Sequence, residues 1–390
     1  MSIYLDHAAT TPIDSRVLDA MMPYLADTYG NPSSIHTYGR AAERAAEQAR
    51  RECAEVLHCA PDEIIFTSGG SEADNLALRG AALAARARRG ANHIITTPVE
   101  HDAVGHTARQ LADHFGFDLT IVPVDQYGRV DSQDVAAAFR ADTALVSVMY
   151  ANNEVGTIQP VAEIAAMARE RGALVHTDAV QAASQLDLDV QRLGVDLMAL
   201  GAHKFYGPKG VGALFVRTGT SLLPTQTGGG HERGLRAGTH NVAYIVGLAK
   251  ALTLTAERRA ADNARFVLLR DRLIREILAA IPDARLTGHP AERLPNNASF
   301  VFRNVDGNEL LMHLDLAGIA ASSGSACKTG DPEPSQVLLA MGLPREWALG
   351  SLRLTVGRRT THEEVEQTIA VLPGIVATLR SLGAKQGGQR

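Results

Sequence analysis

The 390-residue chain has only three cysteines, Cys53, Cys59 and Cys327. They are too few and too scattered for a disulfide framework, and no pair has metal-ligand spacing with histidines nearby, so no metal site is expected. A reducing compartment follows, and we read the protein as cytoplasmic. The start, Met1-Ser-Ile-Tyr-Leu-Asp6, lacks the basic stretch and the apolar core of a signal peptide, and no later run reaches membrane-spanning length. Low-complexity tracts are missing as well, and a composition of 45% hydrophobic and 21% charged residues excludes disordered and fibrous classes. Nor is there a strong charge of either sign. A formal net charge of -5 gives no general attraction to phosphate backbones or anionic lipid, so neither direct nucleic-acid binding nor membrane binding is expected.

What is present is enough chain for two domains and a repeating pattern. After a brief extended opening, Asp14 is placed as the N-cap of a helix through Val17, Leu18, Met21 and Met22, stopped by Gly30-Asn-Pro32. An alanine-rich, charge-alternating helix is predicted over roughly Tyr38 to His58, where Cys53 and Cys59 read as packing residues. From Asp62 to Val216, strand, turn and helix alternate, with apolar runs at 63–67, 93–97, 118–122, 143–149, 173–177, 196–200 and 211–216. That alternation predicts an α/β fold with a doubly wound, mostly parallel sheet. Asn241 to Ile281 has no proline and carries an apolar stripe, so it reads as a long helical connector. Beyond it, shorter strands and a helix over Gly307 to Leu316 suggest a smaller α/β domain. We place a large domain at 14–261 and a small one at 1–13 plus 262–390.

The chemistry gathers where strands end. In Leu200-Gly-Ala-His-Lys-Phe-Tyr-Gly-Pro-Lys-Gly210, Lys204 sits in a turn between two apolar runs; alone it would be one more loop lysine. Ser68-Gly-Gly-Ser71 lies between a strand and a helix, where backbone N–H groups converge on an anion. The absence of Gly-Lys-Ser/Thr after it argues against a nucleotide-hydrolysing P-loop, and the glycines could also be simply a turn. Asp178 ends a strand one strand-helix-strand unit before Lys204, as a site carboxylate or a helix N-cap. An aldehyde cofactor needs a lysine amine and an acid beside its pyridine nitrogen, so lysine, acid and phosphate turn together describe pyridoxal phosphate. His101 follows another strand, as a ring-stacking or proton-shuttling imidazole or a bystander, and Glu100 beside it reads as structural. Cys327 lies in a stretch of small and turn-forming residues beside Lys328, a candidate nucleophile or an incidental surface thiol.

Taken together, these segments resemble the cysteine desulfurases of aminotransferase class V, pyridoxal-phosphate enzymes with the aspartate-aminotransferase-like fold (fold type I). The resemblance rests on Tyr4-Leu-Asp-His-Ala-Ala-Thr-Thr-Pro12, Gly30-Asn-Pro-Ser-Ser34, Thr67-Ser-Gly-Gly-Ser-Glu-Ala-Asp-Asn75, Asn152-Asn-Glu-Val-Gly156, His203-Lys204, Gly228-Gly-Gly-His-Glu-Arg233, Arg236-Ala-Gly-Thr239 and Ser322-Ser-Gly-Ser-Ala-Cys327. It spans nearly the whole chain. It implies that Lys204 carries the cofactor, Asp178 pairs with its pyridinium, Gln181 approaches its phenolic oxygen and His101 stacks on its ring. Asn153 would lie by cofactor and substrate. Gly70, Ser71 and His203 would hold the phosphate, with Thr239 contributed by the neighbouring subunit of a homodimer, and Arg353 would grip the carboxylate of L-cysteine.

The implied reaction releases alanine and leaves a persulfide on Cys327, on a mobile loop at about 322–335, for a sulfur-acceptor protein serving iron-sulfur cluster assembly or tRNA thiolation. Selenocysteine lyase and class V aminotransferase share the cofactor site, and a non-catalytic sulfur-relay protein could share the fold; a transaminase has no need of Cys327. The chain also departs from the family pattern. Gly201 stands where many relatives have a phosphate-binding serine, and Ser71 replaces a common threonine. Lys328-Thr-Gly-Asp-Pro332 is unusual, and the tail from Gly383 to Arg390 does not resemble a scaffold-docking terminus.

Overall fold

The computed structural model describes residues 2–323 and 333–387, the last five without side-chain detail. Its strands are β1 (Ile3–Tyr4), β2 (Ile64–Thr67), β3 (His93–Thr96), β4 (Asp118–Ile121), β5 (Thr143–Ser147), β6 (Leu174–Asp178), β7 (Leu197–Gly201), β8 (Gly212–Val216), β9 (Ala284–Leu286), β10 (Asn297–Phe302), β11 (Ile319–Ala320) and β12 (Ser351–Thr355). Seven of them form one sheet in the order β2-β8-β7-β6-β5-β3-β4. All run the same way except β8, which is antiparallel to both its neighbours. The exception has a simple cause: 202–211 contains no crossover helix, and a chain that returns directly must pair antiparallel.

Both faces of this sheet are covered, which is why its strands read as continuous apolar runs. Side chains alternate across it. Met198, Leu200, Ala213 and Phe215 face one core, shared with the Thr37–Leu57 helix and the first half of the Val242–Ala280 helix. Leu197, Ala199, Leu214 and Val216 face the other, against the Gly70–Arg89 helix. That helix buries Ala73, Ala77, Ala81, Ala82, Ala84 and Ala85, small side chains that let it lie close on the sheet. Each fully buried Leu or Phe here contributes about 1.5–3 kcal/mol relative to exposure. Cys53 is buried in the first core and Cys59 packs against it; burial pushes the Cys59 thiol up to about 12. Neither is a reactive thiolate.

The Asp14 cap is present, its side chain accepting from the Arg16 amide at the start of the Ser15–Ala26 helix. The long helix from Val242 to Ala280 serves two cores: Ile245, Leu248 and Leu252 join the first, while Phe266, Leu269, Leu273 and Ile277 join another formed with Phe300, Phe302, Leu352 and Leu354. Between these sets lies Asp262, buried and bonded to Arg358 at 2.7 Å. Strands β12-β10-β9 make an antiparallel sheet, and β1 pairs in parallel with β11. From β1 the N-terminal stretch crosses toward the end of β7, where the Thr11 amide bonds the His203 carbonyl at 2.9 Å. Among the described residues no helix is long and apolar enough to cross a membrane.

Candidate active site

Because every strand of the large sheet but β8 points one way, their carboxyl ends share one edge, where α/β proteins form their clefts. A cavity of about 340 Å³ lies there, lined by residues that follow β2 (Gly70, Ser71), β3 (His101), β5 (Asn153), β6 (Asp178, Gln181) and β7 (His203, Lys204), and by Arg353 from β12. The predicted site residues of both domains thus meet, with two exceptions. Thr239 is exposed and does not line this cavity. Cys327 lies outside the described residues.

Lys204 follows β7 in a single turn of 3-10 helix, and its Nζ donates to the carbonyls of Ala8 (2.6 Å) and Ala9 (2.8 Å). Burial, reinforced by the Arg353 guanidinium, lowers its pKa to about 8, so about a tenth is free amine at pH 7, far more than for an exposed lysine. Asp178 ends β6, 5% exposed, and Oδ1 accepts from the Val180 amide at 2.8 Å. Burial raises its pKa, opposed by nearby His101, that hydrogen bond and Lys204. Gln181 donates to the same Ala8 carbonyl at 2.8 Å. One N-terminal carbonyl therefore fixes two pocket side chains.

Among the described residues the Gly70–Arg89 helix begins with no side-chain cap, which leaves its first amides open at the positive end of the helix dipole. Gly70 is required sterically: a Cβ there would meet Val180 Cγ2 at 2.6 Å. Glu72 is engaged ahead of these amides, its Oε2 accepting from the Ser68 amide at 2.7 Å and from the Ser68 hydroxyl, and its Oε1 from Arg236 at 2.8 Å. His203 Nδ1 lies 3.2 Å from Thr10 Oγ1, and burial beside Lys204 lowers its pKa to about 4, so it is neutral. His101 caps the Asp102–Phe115 helix, its Nδ1 accepting from the Ala103 amide at 3.1 Å. A neutral ring there carries its proton on Nε2.

On the opposite wall, Arg353 donates through Nη1 to the Asn153 carbonyl (2.9 Å) and through Nη2 to Asp6 Oδ1 (2.8 Å). Among the described residues its buried Nε has no hydrogen-bond partner, leaving donor capacity for an anionic substrate group. Glu100 accepts from Thr97 Oγ1 and the Met149 amide, a structural tie between two strand-end loops, and burial raises it to about 8. Sequence reasoning missed Asp74, which lines the cavity at 1% exposure, its pKa raised by burial and by Asp178. It also missed the Ala8 and Ala9 carbonyls. Asp74 carried a usable signal, a lone carboxylate on the alanine-rich buried face of a helix.

The chain as a whole is similar to known proteins. Residues 3–368 match the model of the aminotransferase class-V family, and the chain belongs to that family. It is 47% identical over 380 residues to the cysteine desulfurase IscS of Dictyoglomus turgidum, covering 97% of this chain and 96% of that protein. A solved NifS-like protein superposes with a TM-score of 0.91 at 38% identity, covering 97% of this chain and 100% of that one. The structure of SspA in complex with cysteine matches with a TM-score of 0.80 at 34% identity, over 92% of this chain and 100% of that one. Within class V, the chain is one of the cysteine desulfurases.

Proposed function

We propose that this enzyme uses pyridoxal phosphate to remove sulfur from L-cysteine, releasing L-alanine and leaving a persulfide on Cys327 for an acceptor protein. The observation that carries the proposal is the convergence of Lys204, Asp178 and the uncapped helix start at Gly70 on one cavity. The donor set fits the cofactor. The free amides at Gly70 and Ser71, the Ser71 hydroxyl and His203 suit a phosphate dianion. Asp178 suits a pyridinium, Gln181 a phenolic oxygen, and the His101 ring an aromatic face. When bound, pyridoxal phosphate supplies an electron-withdrawing ring that takes up negative charge from the substrate Cα.

The chain supplies the rest. Lys204 would hold the cofactor through its aldehyde, and its amine, with a pKa of about 8, is suited to accept the substrate Cα proton. Arg353, kept in place by Asp6 and Asn153, receives the substrate carboxylate. The Cys327 thiolate attacks the substrate sulfur. An S–S bond forms as the Cβ–S bond breaks, the bonding pair stays with the substrate carbons, and these take up protons and leave as alanine. The sulfur then serves iron-sulfur cluster assembly or tRNA thiolation through an acceptor protein.

A homodimer is part of this reading. Leu18, Met22, Leu25, Tyr29, Ile35 and Tyr38 expose apolar side chains on the first two helices and the segment joining them, a surface suited to a second copy that would bring Thr239 to the partner's phosphate site. The two-domain division near Asp262 is supported by the separate cores at the two halves of the long helix. The test is incubation with L-cysteine while alanine and protein-bound persulfide are measured together. Wild-type protein is expected to form both; Cys327→Ser is expected to bind cofactor and cysteine but form neither. Alanine at the wild-type rate from Cys327→Ser would remove Cys327 as the nucleophile, and amino-group transfer in place of alanine release would make the enzyme a transaminase.

A further inference from the structure

The turn after β5 has three consecutive polar residues that face different ways. Asn152 is fully buried: its Oδ1 accepts from the Glu154 and Val155 amides at 2.8 and 2.9 Å, and its Nδ2 donates to the Val99 carbonyl at 2.9 Å. It locks the turn's shape. Asn153 lines the cavity, and its carbonyl receives Arg353. Glu154 points elsewhere, and its Oε2 accepts a 2.5 Å hydrogen bond from Ser335 Oγ. Its carbonyl is also held, by Asn297 Nδ2 at 3.1 Å.

Ser335 stands at the downstream end of the Cys327-bearing stretch. It is 2% exposed, and its Oγ also accepts from the Leu338 amide at 3.2 Å, capping the Gln336–Ala340 helix. Capping uses the oxygen as an acceptor and needs no carboxylate, so Glu154 engages the one function of the hydroxyl, its proton, that capping leaves over. The upstream end is tied as well: the Ser322 amide donates to the Arg353 carbonyl (3.3 Å) and the Arg353 amide to the Ser322 carbonyl (2.7 Å). Both ends of the stretch are therefore bonded to residues adjoining the cavity, one to Arg353 itself and the other to the neighbour of Asn153.

We propose that Glu154 is a positioning residue for sulfur transfer, its carboxyl bond to Ser335 registering the end of the Cys327-bearing stretch against the turn that carries Asn153. Burial lifts the Glu154 carboxyl to about 7, with the Ser335 hydrogen bond and the Arg353 guanidinium opposing the rise, and the hydroxyl donates to a carboxyl oxygen in either protonation state; a chain end held in place narrows the volume that the nucleophile it carries must search. The inference rests on the assignment of Cys327 as the sulfur nucleophile.

The test is single-turnover persulfide formation in the cofactor-loaded full-length enzyme for Glu154→Ala, Glu154→Gln, Ser335→Ala and the Glu154→Ala/Ser335→Ala double variant, with the absorbance change on cysteine addition giving substrate affinity. We expect Glu154→Ala and Ser335→Ala each to slow persulfide formation by roughly ten- to a hundredfold, with substrate affinity within about twofold of wild type. The double variant should be no slower than the worse single one. Glu154→Gln keeps an acceptor oxygen and should recover most of the rate. Hydrogen exchange over 336–340 in the cofactor-free protein should rise in Glu154→Ala even if that variant loads cofactor poorly. Persulfide formation at the wild-type rate in Glu154→Ala, unchanged exchange at 336–340, or multiplicative losses in the double variant would overturn the inference. Absence of persulfide in the wild type would overturn the assignment of Cys327 and this inference with it.

Discussion

Gly201 offers a gain-of-binding test of the phosphate site. It closes β7 with φ -133° and ψ 115°, an extended conformation open to any residue. A Cβ there would lie 3.4 Å from the Gly70 amide nitrogen, 3.5 Å from Val180 Cγ1 and 3.7 Å from Gly70 Cα, all ordinary contacts. A serine therefore fits without rearrangement, and its hydroxyl arrives beside the uncapped amides proposed to hold the phosphate. A hydrogen bond to a charged group contributes about 1.5–3 kcal/mol. Freezing the rotamer and sharing the phosphate oxygens with donors already present reduces that to about 1 kcal/mol, or roughly fivefold tighter binding. The assay is equilibrium titration of cofactor-free protein with pyridoxal phosphate. Gly201→Ala is the control, adding the Cβ without the hydroxyl, and is expected within about twofold of wild type. If Gly201→Ser binds no more tightly than Gly201→Ala, the phosphate does not lie at the Gly70 amides and the reasoning fails.

Three more outcomes follow from the site's electrostatics. With the Lys204 amine at about 8, the rate at which cofactor-free protein captures pyridoxal phosphate should rise through that pH; a midpoint near the ordinary lysine value of 10.5 would contradict the effect of burial. Arg353→Lys gives up the two-pronged tie to Asp6 and Asn153 and should raise KM for cysteine about tenfold or more with a smaller change in kcat, whereas an unchanged KM would exclude Arg353 from substrate binding. Asp74 has a raised folded-state pKa, so its contribution to stability is full below the unfolded value of 3.8 and is lost as pH rises toward the folded one. Asp74→Asn, neutral throughout, should therefore raise the thermal midpoint of the cofactor-free protein at neutral pH and narrow the gap in acid. An equal shift at both would contradict a raised pKa.

Much of this architecture is legible locally. The Asp14 cap, the uninterrupted helical pattern from Asn241 to Ile281 and the runs around Lys204 each announce themselves through near-neighbour spacing, and each is present. The direction of β8 is less direct, since it depends on a connection too short to hold a helix rather than on the strand's own residues. Arg353 is the harder case. On β12 it reads as a strand-surface charge, and only the family resemblance made it a site residue; its surroundings come from Asp6 and Asn153, more than a hundred positions away. The Glu154–Ser335 bond has no local trace at all, because neither residue carries a pattern that points to the other.

Local sequence specifies the elements and singles out the candidate reactive groups: strands and helices follow from side-chain periodicity, and a lysine, an aspartate and a glycine-rich helix start at strand ends are recognisable by residue type alone. The state of those groups depends on contacts made by the folded chain. The Lys204 amine is brought to about 8 by enclosure and a neighbouring guanidinium, and its orientation is set by carbonyls from the N-terminal stretch. Such quantities depend on distances between residues far apart in the chain and on the exclusion of water around them, and both exist only once the sheet edge, the N-terminal crossing and β12 have come together.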